Sequence, residues 1–311
     1  MNLHQDVDRY LAQRRGLGFK LNTTEYLLHQ FTDWLTARGV TESFTINDAV
    51  AWACDPPGAA PVWRARRLTA VRPFAAYLNA SGVNVPVIPS GLLPARTTRR
   101  EPFIYSQPEL DHLLTACPFY FPTPRVAATM STIIGLLAAT GLRIGEALRL
   151  TVPDLDPTEH VLLVRATKRP LDRLVPLDPT TTTALTDYLT LPERAATNPA
   201  PDGPIFVNDR GTRYRLETIE QHFHALIDAL GLAQPGQPRP RLHDLRHTFA
   251  TRHMITAYTR AGNPARVMTL LTTWLGHTSP EHTYWYLSAA PELLAAAAHR
   301  LEPDSTEGAP L

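Results

Sequence analysis

Between Gly82 and Pro102 the chain abandons helical periodicity for Val85-Pro86, Ile88-Pro89 and Leu93-Pro94 steps, followed by Arg96-Thr97-Thr98-Arg99-Arg100. A residue before proline is driven out of the helical basin, and proline itself has no amide hydrogen to donate. One continuous helical core cannot pass through such a stretch. The sequence therefore predicts two parts, residues 1–95 and 103–301, joined by a basic linker at 96–102 and followed by an acidic tail at 302–311. With 311 residues, each part is long enough to bury its own core.

The first part reads as helical. Asn22-Thr23-Thr24-Glu25 has capping-box spacing, and Tyr26, Leu27, Phe31, Trp34 and Leu35 follow at helical intervals until Gly39. Thr45-Ile46-Asn47-Asp48 opens a short helix in the same way. A longer helix over 61–79 aligns Trp63, Leu68, Val71, Phe74 and Leu78, with Pro73 as a point of bending. Arg64, Arg66, Arg67 and Arg72 lie along it, and their two readings are a solvated face or a face that tracks phosphates.

The second part predicts a mainly α architecture with a small antiparallel β-sheet. Ser106-Gln107-Pro108-Glu109 is a second capping box, an apolar helix over 126–140 stops at Gly141, and Arg143 opens a short helix running to Leu150. Residues 161–164 and 174–177 read as strands, with Lys168 near the turn between them. Further helices are expected over 180–189, 216–230, 243–257, 264–275, 281–287 and 291–301, with a proline-rich loop at 234–240.

Net charge is only +1, but it is unevenly spread: the first hundred residues hold twelve basic and seven acidic side chains, the remainder eighteen and twenty-two. Of the thirty basic residues only Lys20 and Lys168 are lysines, so a lysine kept in this arginine-rich background invites a chemical explanation. The longest apolar stretch, 133–142, is far shorter than the roughly 20 residues that span a bilayer, and the first ten residues lack a secretory core. A cytoplasmic protein is expected. Cys54 and Cys117 have no metal-ligand spacing, so we expect two buried thiols rather than a disulfide or zinc site.

Chemistry concentrates near the carboxyl end. Tyr286 lies nine residues after His277, downstream of His243-Asp244-Leu245-Arg246-His247. A phenol ionises near pH 10, so it becomes a useful nucleophile only beside groups that take its proton and neutralise what it attacks. His243 and Arg246, at i and i+3, project from one helix face towards a common anion, and His247 at i+4 can share that face. The two histidines also have the spacing of a metal pair, but the glutamate of His-Glu-x-x-His is missing and no third ligand is evident. A charged helix with incidental histidines remains open on these residues alone.

Three segments together carry a resemblance. Ala139-Thr140-Gly141-Leu142-Arg143-Ile144-Gly145-Glu146-Ala147-Leu148-Arg149-Leu150, Arg241-Leu242-His243-Asp244-Leu245-Arg246-His247-Thr248-Phe249-Ala250-Thr251 and Leu275-Gly276-His277 through Tyr286 resemble, in order, the signature boxes of the tyrosine recombinases, or phage integrase family. The resemblance covers about 103–300 as catalytic domain; residues 1–95 match the family's helical, SAM-like core-binding domain in size and helical pattern only. It implies a two-domain clamp on double-stranded DNA that cuts and rejoins specific sites through a 3′-phosphotyrosine, without ATP, metal or other cofactor, and without a membrane.

By the same resemblance, Arg143 and Arg246 grip the scissile phosphate, His243 assists proton transfer, His277 bonds the phosphate in the transition state and Tyr286 attacks. Lys168 donates a proton to the leaving 5′-oxygen, although the glycines that often flank this lysine are absent. Glu146 and His247 support. Tyr284, two residues from Tyr286, is expected to pack. Arg64, Arg66, Arg67, Arg96, Arg99 and Arg100 are expected to meet DNA. A homo-tetramer on paired sites, alone or with a related recombinase, is implied, and the helix over 291–301 is its candidate exchange element. Biological tasks consistent with this reading are integration, transposition by a mobile element and dimer resolution. Competing readings are a type IB topoisomerase, a catalytically silent DNA-binding accessory protein and, last, a metal hydrolase.

Overall fold

The computed structural model describes residues 2–95, 101–165, 172–259, 263–276 and 298. The chain divides into two compact units, Met1–Arg99 and Arg100–Leu311.

The first unit contains α1 (Leu3–Gly16), α2 (Asn22–Thr36), α3 (Ile46–Cys54) and α4 (Pro61–Ala80). Its core gathers Val7 and Leu11 of α1, Leu28 and Phe31 of α2, Trp52 of α3 and Leu68, Val71, Phe74 and Leu78 of α4. Thr45 caps α3 as a full capping box with Asp48. Asn22 does not cap α2: the helix already begins at Asn22, behind Leu21 in the left-handed conformation (φ 48°). The glutamate that the box requires is committed elsewhere, since Arg15 donates to Glu25 Oε2 at 2.6 Å. Helix α4 runs through Pro73 to Ala80.

Arg67 corrects one expectation of a DNA contact. It is 7% exposed, donates through Nη2 to the Trp52 carbonyl at 2.8 Å and stacks 3.9 Å from the Trp52 ring centroid. Its guanidinium braces α4 on α3. Arg66 is exposed and Arg64 is half-buried on the same helix.

The second unit opens with α5 (Gln107–Tyr120), capped by Ser106 and Glu109 as expected, and α6 (Pro124–Thr140). The short α7 (Ile144–Ala147) and a 3-10 turn (Val152–Asp154) lead to a three-stranded antiparallel sheet, order β1 (Leu155–Asp156), β2 (Val161–Val164), β3 (Arg173–Pro176). Only β2 and β3 were evident from periodicity, because a two-residue strand is too short to alternate. Leu162 pairs with Val175 facing the core, while Leu163 pairs with Leu174 on the outer face. Helices α8 (Pro179–Thr190), α9 (Pro192–Ala195), α10 (Leu216–Ala229), α11 (Leu242–Thr259) and α12 (Pro264–Trp274) complete the described unit.

Helix α11 lacks an apolar stripe, yet eleven of its residues are buried, including Asp244, Arg246, His247, Thr248 and Thr251. Its packing surface combines the apolar Leu242, Leu245, Phe249, Ala250, Met254 and Ala257 with polar side chains, of which Asp244, Arg246 and Thr248 are hydrogen-bonded. Cys117 is buried, and burial pushes its thiol up to about 12, whereas Cys54 is only half-buried. Both are free thiols.

Replacing Arg67 by Ala removes a bonded, stacked cation from a core and should cost about 1–3 kcal/mol. Calorimetry should show a lower unfolding midpoint for Arg67→Ala and an unchanged one for Arg66→Ala. The salt dependence of DNA binding by folded Arg67→Ala should match that of the parent.

Candidate active site

Helix α6 ends where Gly141 adopts φ 65°, a left-handed cap that L side chains resist. Space enforces the same choice, since a Cβ at 141 would sit 2.7 Å from Phe249 Cδ1 and 2.9 Å from Leu275 Cδ2. The turn delivers Arg143 in extended conformation as the residue capping α7. Its backbone N–H donates to Glu146 Oε2 at 2.9 Å, and its Nη1 donates to Oε1 at 3.2 Å. The Arg143 side chain is 43% exposed.

From the opposite side, α11 brings Arg246, which is 1% exposed. Its Nη1 donates to the Gly141 carbonyl at 2.8 Å and its Nη2 to the Leu275 carbonyl at 2.6 Å. The guanidinium thereby joins the ends of α6, α11 and α12. Trp274 adds a parallel strut by donating from Nε1 to the Thr140 carbonyl at 2.8 Å, with its ring 5.9 Å from that of Phe249.

His243 stands one turn before Arg246 and is exposed. Partial desolvation lowers its pKa, and the charges of Arg246, Arg241 and Arg143 lower it further against the opposing pull of Asp244. A histidine below its ordinary value of 6.5 is neutral at physiological pH and can accept a proton. His247 is buried, with its ring edge-on to His243 at 5.0 Å. Among the described residues no cluster of three or more His, Cys, Asp or Glu could hold a metal.

Three residues that the sequence reading did not single out complete the surroundings. Arg173, at the start of β3, donates from Nη2 to Glu146 Oε2 at 2.9 Å, from Nη1 to Oε1 at 3.2 Å and from Nε to the Trp274 carbonyl at 2.9 Å. Asp244 is fully buried and accepts from Arg241 Nη2 at 2.7 Å and Nε at 3.1 Å. Tyr105 donates through its hydroxyl to the Arg241 carbonyl, and its amide donates to Thr248 Oγ1 at 3.0 Å. Burial raises the Tyr105 phenol far above its ordinary value, which makes it a strut and not a nucleophile. Only the Arg241–Asp244 pair left a sequence signal, the i, i+3 spacing of opposite charges.

Burial pushes the Glu146 carboxyl up, but hydrogen bonds and charge from Arg173 and Arg143 outweigh it and hold the pKa below the usual range. Glu146 is thus a carboxylate. Four guanidiniums (Arg143, Arg173, Arg241, Arg246) against two carboxylates (Glu146, Asp244) leave an excess of two positive charges among these described residues. Such a site is matched to an anion that gains charge as it reacts.

Arg143, Glu146, His243, Arg246 and His247 are therefore in one region. Lys168, His277, Tyr284 and Tyr286 lie outside the described residues, as do Arg96, Arg99 and Arg100.

With that geometry in view, the phage integrase family matches residues 106–292, and the chain belongs to that family, the tyrosine recombinases. Among curated relatives, the protein designated integrase/recombinase y4rB of Sinorhizobium fredii is 38% identical over 96% of this chain and 96% of its own. The tyrosine recombinase XerD of Bifidobacterium longum is 27% identical over 94% of this chain and 92% of its own. Two solved structures share the fold. The XerH site-specific recombinase bound to a palindromic difH substrate has a TM-score of 0.67 at 19% identity, covering 91% of this chain and 80% of that one. The Tn1549 transposon integrase with transposon right-end DNA has a TM-score of 0.67 at 18% identity, covering 97% and 99%. The expected mainly helical fold with a small antiparallel sheet and the family assignment both hold.

A methyl group at Gly141 meets both a forbidden backbone region and two packed side chains. Gly141→Ala should lower stability by about 2 kcal/mol or more, read as a lower denaturation midpoint of the second unit.

Proposed function

We propose that this site-specific DNA recombinase attacks the scissile phosphate with Tyr286, leaving a 3′-phosphotyrosyl bond and a free 5′-hydroxyl. The observation that carries the reading is the convergence of Arg143, His243 and Arg246 around an excess of positive charge, with Glu146 and Asp244 committed to arginines. Arg143, 43% exposed, binds the non-bridging oxygens with its guanidinium, and Arg246, held by the Gly141 and Leu275 carbonyls, contributes fixed positive charge beneath them. Neutral His243 takes up or relays the tyrosyl proton. Lys168 supplies the proton to the leaving 5′-oxygen, which an arginine cannot do well. His277 bonds the phosphate as charge develops. Glu146 orients Arg143, and His247 packs behind His243.

Phosphodiester exchange keeps the bond energy in the phosphotyrosine, so ATP is not required. DNA is the substrate in this reading, and Arg64, Arg66, Arg96, Arg99 and Arg100 supply salt-sensitive backbone contacts. The DNA-bound state is a homo-tetramer on two sites, or a mixed assembly with a related recombinase. The helix expected over 291–301, of which residue 298 alone is among the described residues, is the element for subunit exchange. The compartment is the cytoplasm; among the described residues no helix is long and apolar enough to cross a membrane.

The reading is tested with nicked duplexes from the gene's own flank, in chelator, by looking for an SDS-resistant adduct and mapping its peptide. Tyr286→Phe should abolish the adduct and Tyr284→Phe should retain it; an adduct on Tyr284 would overturn the assignment. Because the pKa of His243 is lowered, it is half-protonated only at a pH below 6.5. Single-turnover cleavage should therefore be maintained as pH drops from about 7.5 to about 6.5 and decline below that. His243→Gln should remove this acid limb along with most of the rate.

A further inference from the structure

We propose that Arg173 is a positioning residue for cleavage: it occupies both oxygens of Glu146 and thereby keeps the Arg143 guanidinium available to the scissile phosphate. The inference rests on reading Arg143 as a phosphate ligand.

Among the described residues two arginines hydrogen-bond Glu146, and they use it differently. Arg173 engages the carboxylate as a fork, Nη2 on Oε2 at 2.9 Å and Nη1 on Oε1 at 3.2 Å. Arg143 touches it through one guanidinium nitrogen, Nη1 on Oε1 at 3.2 Å, while its backbone amide takes Oε2. The fork is the stronger and more directional arrangement. A carboxylate without Arg173 would be free to turn and form that fork with Arg143, consuming the donors that a phosphate needs. Arg173 prevents this by satisfying Glu146 first.

Arg173 is itself fixed. Only 18% of its side chain is exposed, and its remaining donor, Nε, holds the Trp274 carbonyl at 2.9 Å. The backbone passes so close that a Cβ at Gly276, where φ is 63°, would lie 3.1 Å from Arg173 Nη1. One guanidinium thus connects β3, α7 and the end of α12. Lysine cannot replace it, since an ammonium is a point charge without a planar fork. Loss of Arg173 also removes the largest influence opposing burial of the Glu146 carboxyl, whose pKa then moves upward.

The test uses the full chain on a duplex chosen because the parent forms the Tyr286 adduct on it, comparing Arg173→Gln, Arg173→Lys, Arg143→Ala and the double variant Arg143→Ala/Arg173→Gln. We expect Arg173→Gln to bind the duplex with the parent's Kd but to form the adduct about 10 to 100-fold more slowly. Arg173→Lys should fall between the two. The double variant should be no slower than Arg143→Ala, because Arg173 acts through Arg143. The defect of Arg173→Gln relative to the parent should shrink as pH falls and Glu146 is protonated, and adding Glu146→Gln should remove that pH dependence. Additive losses in the double variant, an unaltered pH profile, or a slow Arg173→Lys that melts and releases DNA in proportion would reduce Arg173 to a structural brace and overturn the proposal. If Arg143→Ala cleaves at the parent's rate, the reading of Arg143 itself fails; if Arg143→Ala is slow while Arg173→Gln is normal, only this inference fails.

Discussion

The catalytic unit depends on one buried guanidinium. Arg246 is almost without solvent and donates to the carbonyls of Gly141 and Leu275, closing the ends of α6 and α12 against α11. Taking a cation out of water costs several kcal/mol unless its donors are matched, so this contact is stable only in the folded arrangement that supplies both carbonyls. The left-handed turn at Gly141 and the indole bond from Trp274 to Thr140 make that arrangement specific. Segments more than a hundred residues apart become neighbours through it.

The same constraint prepares the electrostatics of the site. Asp244 is engaged by Arg241, and Glu146 is shared between Arg173 and Arg143, so the carboxylate is not spent on Arg143 alone. Desolvation, reinforced by the charges of Arg246, Arg241 and Arg143, depresses His243 and keeps it a proton acceptor at neutral pH. Membership of the tyrosine recombinase family and this distribution of charge point to the same chemistry, an exchange of phosphodiester bonds in which fixed donors carry the developing charge.

The sequence was legible where local chemistry decides. Thr45 and Ser106 cap their helices because both partners of each box lie within three residues, and Gly141 stops α6 by its own backbone freedom. Asn22 failed as a cap because Glu25 is drawn to Arg15, ten residues away, a competition that a four-residue motif does not contain. Helix α11 could be read as a charged surface helix, since polar residues interrupt its apolar ones, and Arg246 and Thr248 find partners only in segments far away in the chain. Arg67 and Arg66 look equivalent in the chain, yet one stacks under Trp52 and the other faces solvent.

By itself the sequence determined the two-part organisation, most of the helices, two of the three strands and the family boxes with their order, because caps, breakers and periodicity act over a few residues. Only the tertiary structure decided which arginines are available to an anion and which are braces. Arg246 and Arg173 owe their roles to carbonyls and a carboxylate contributed by distant elements. A guanidinium is always charged, so its function follows from its partners and its burial, and those exist only once the chain has packed.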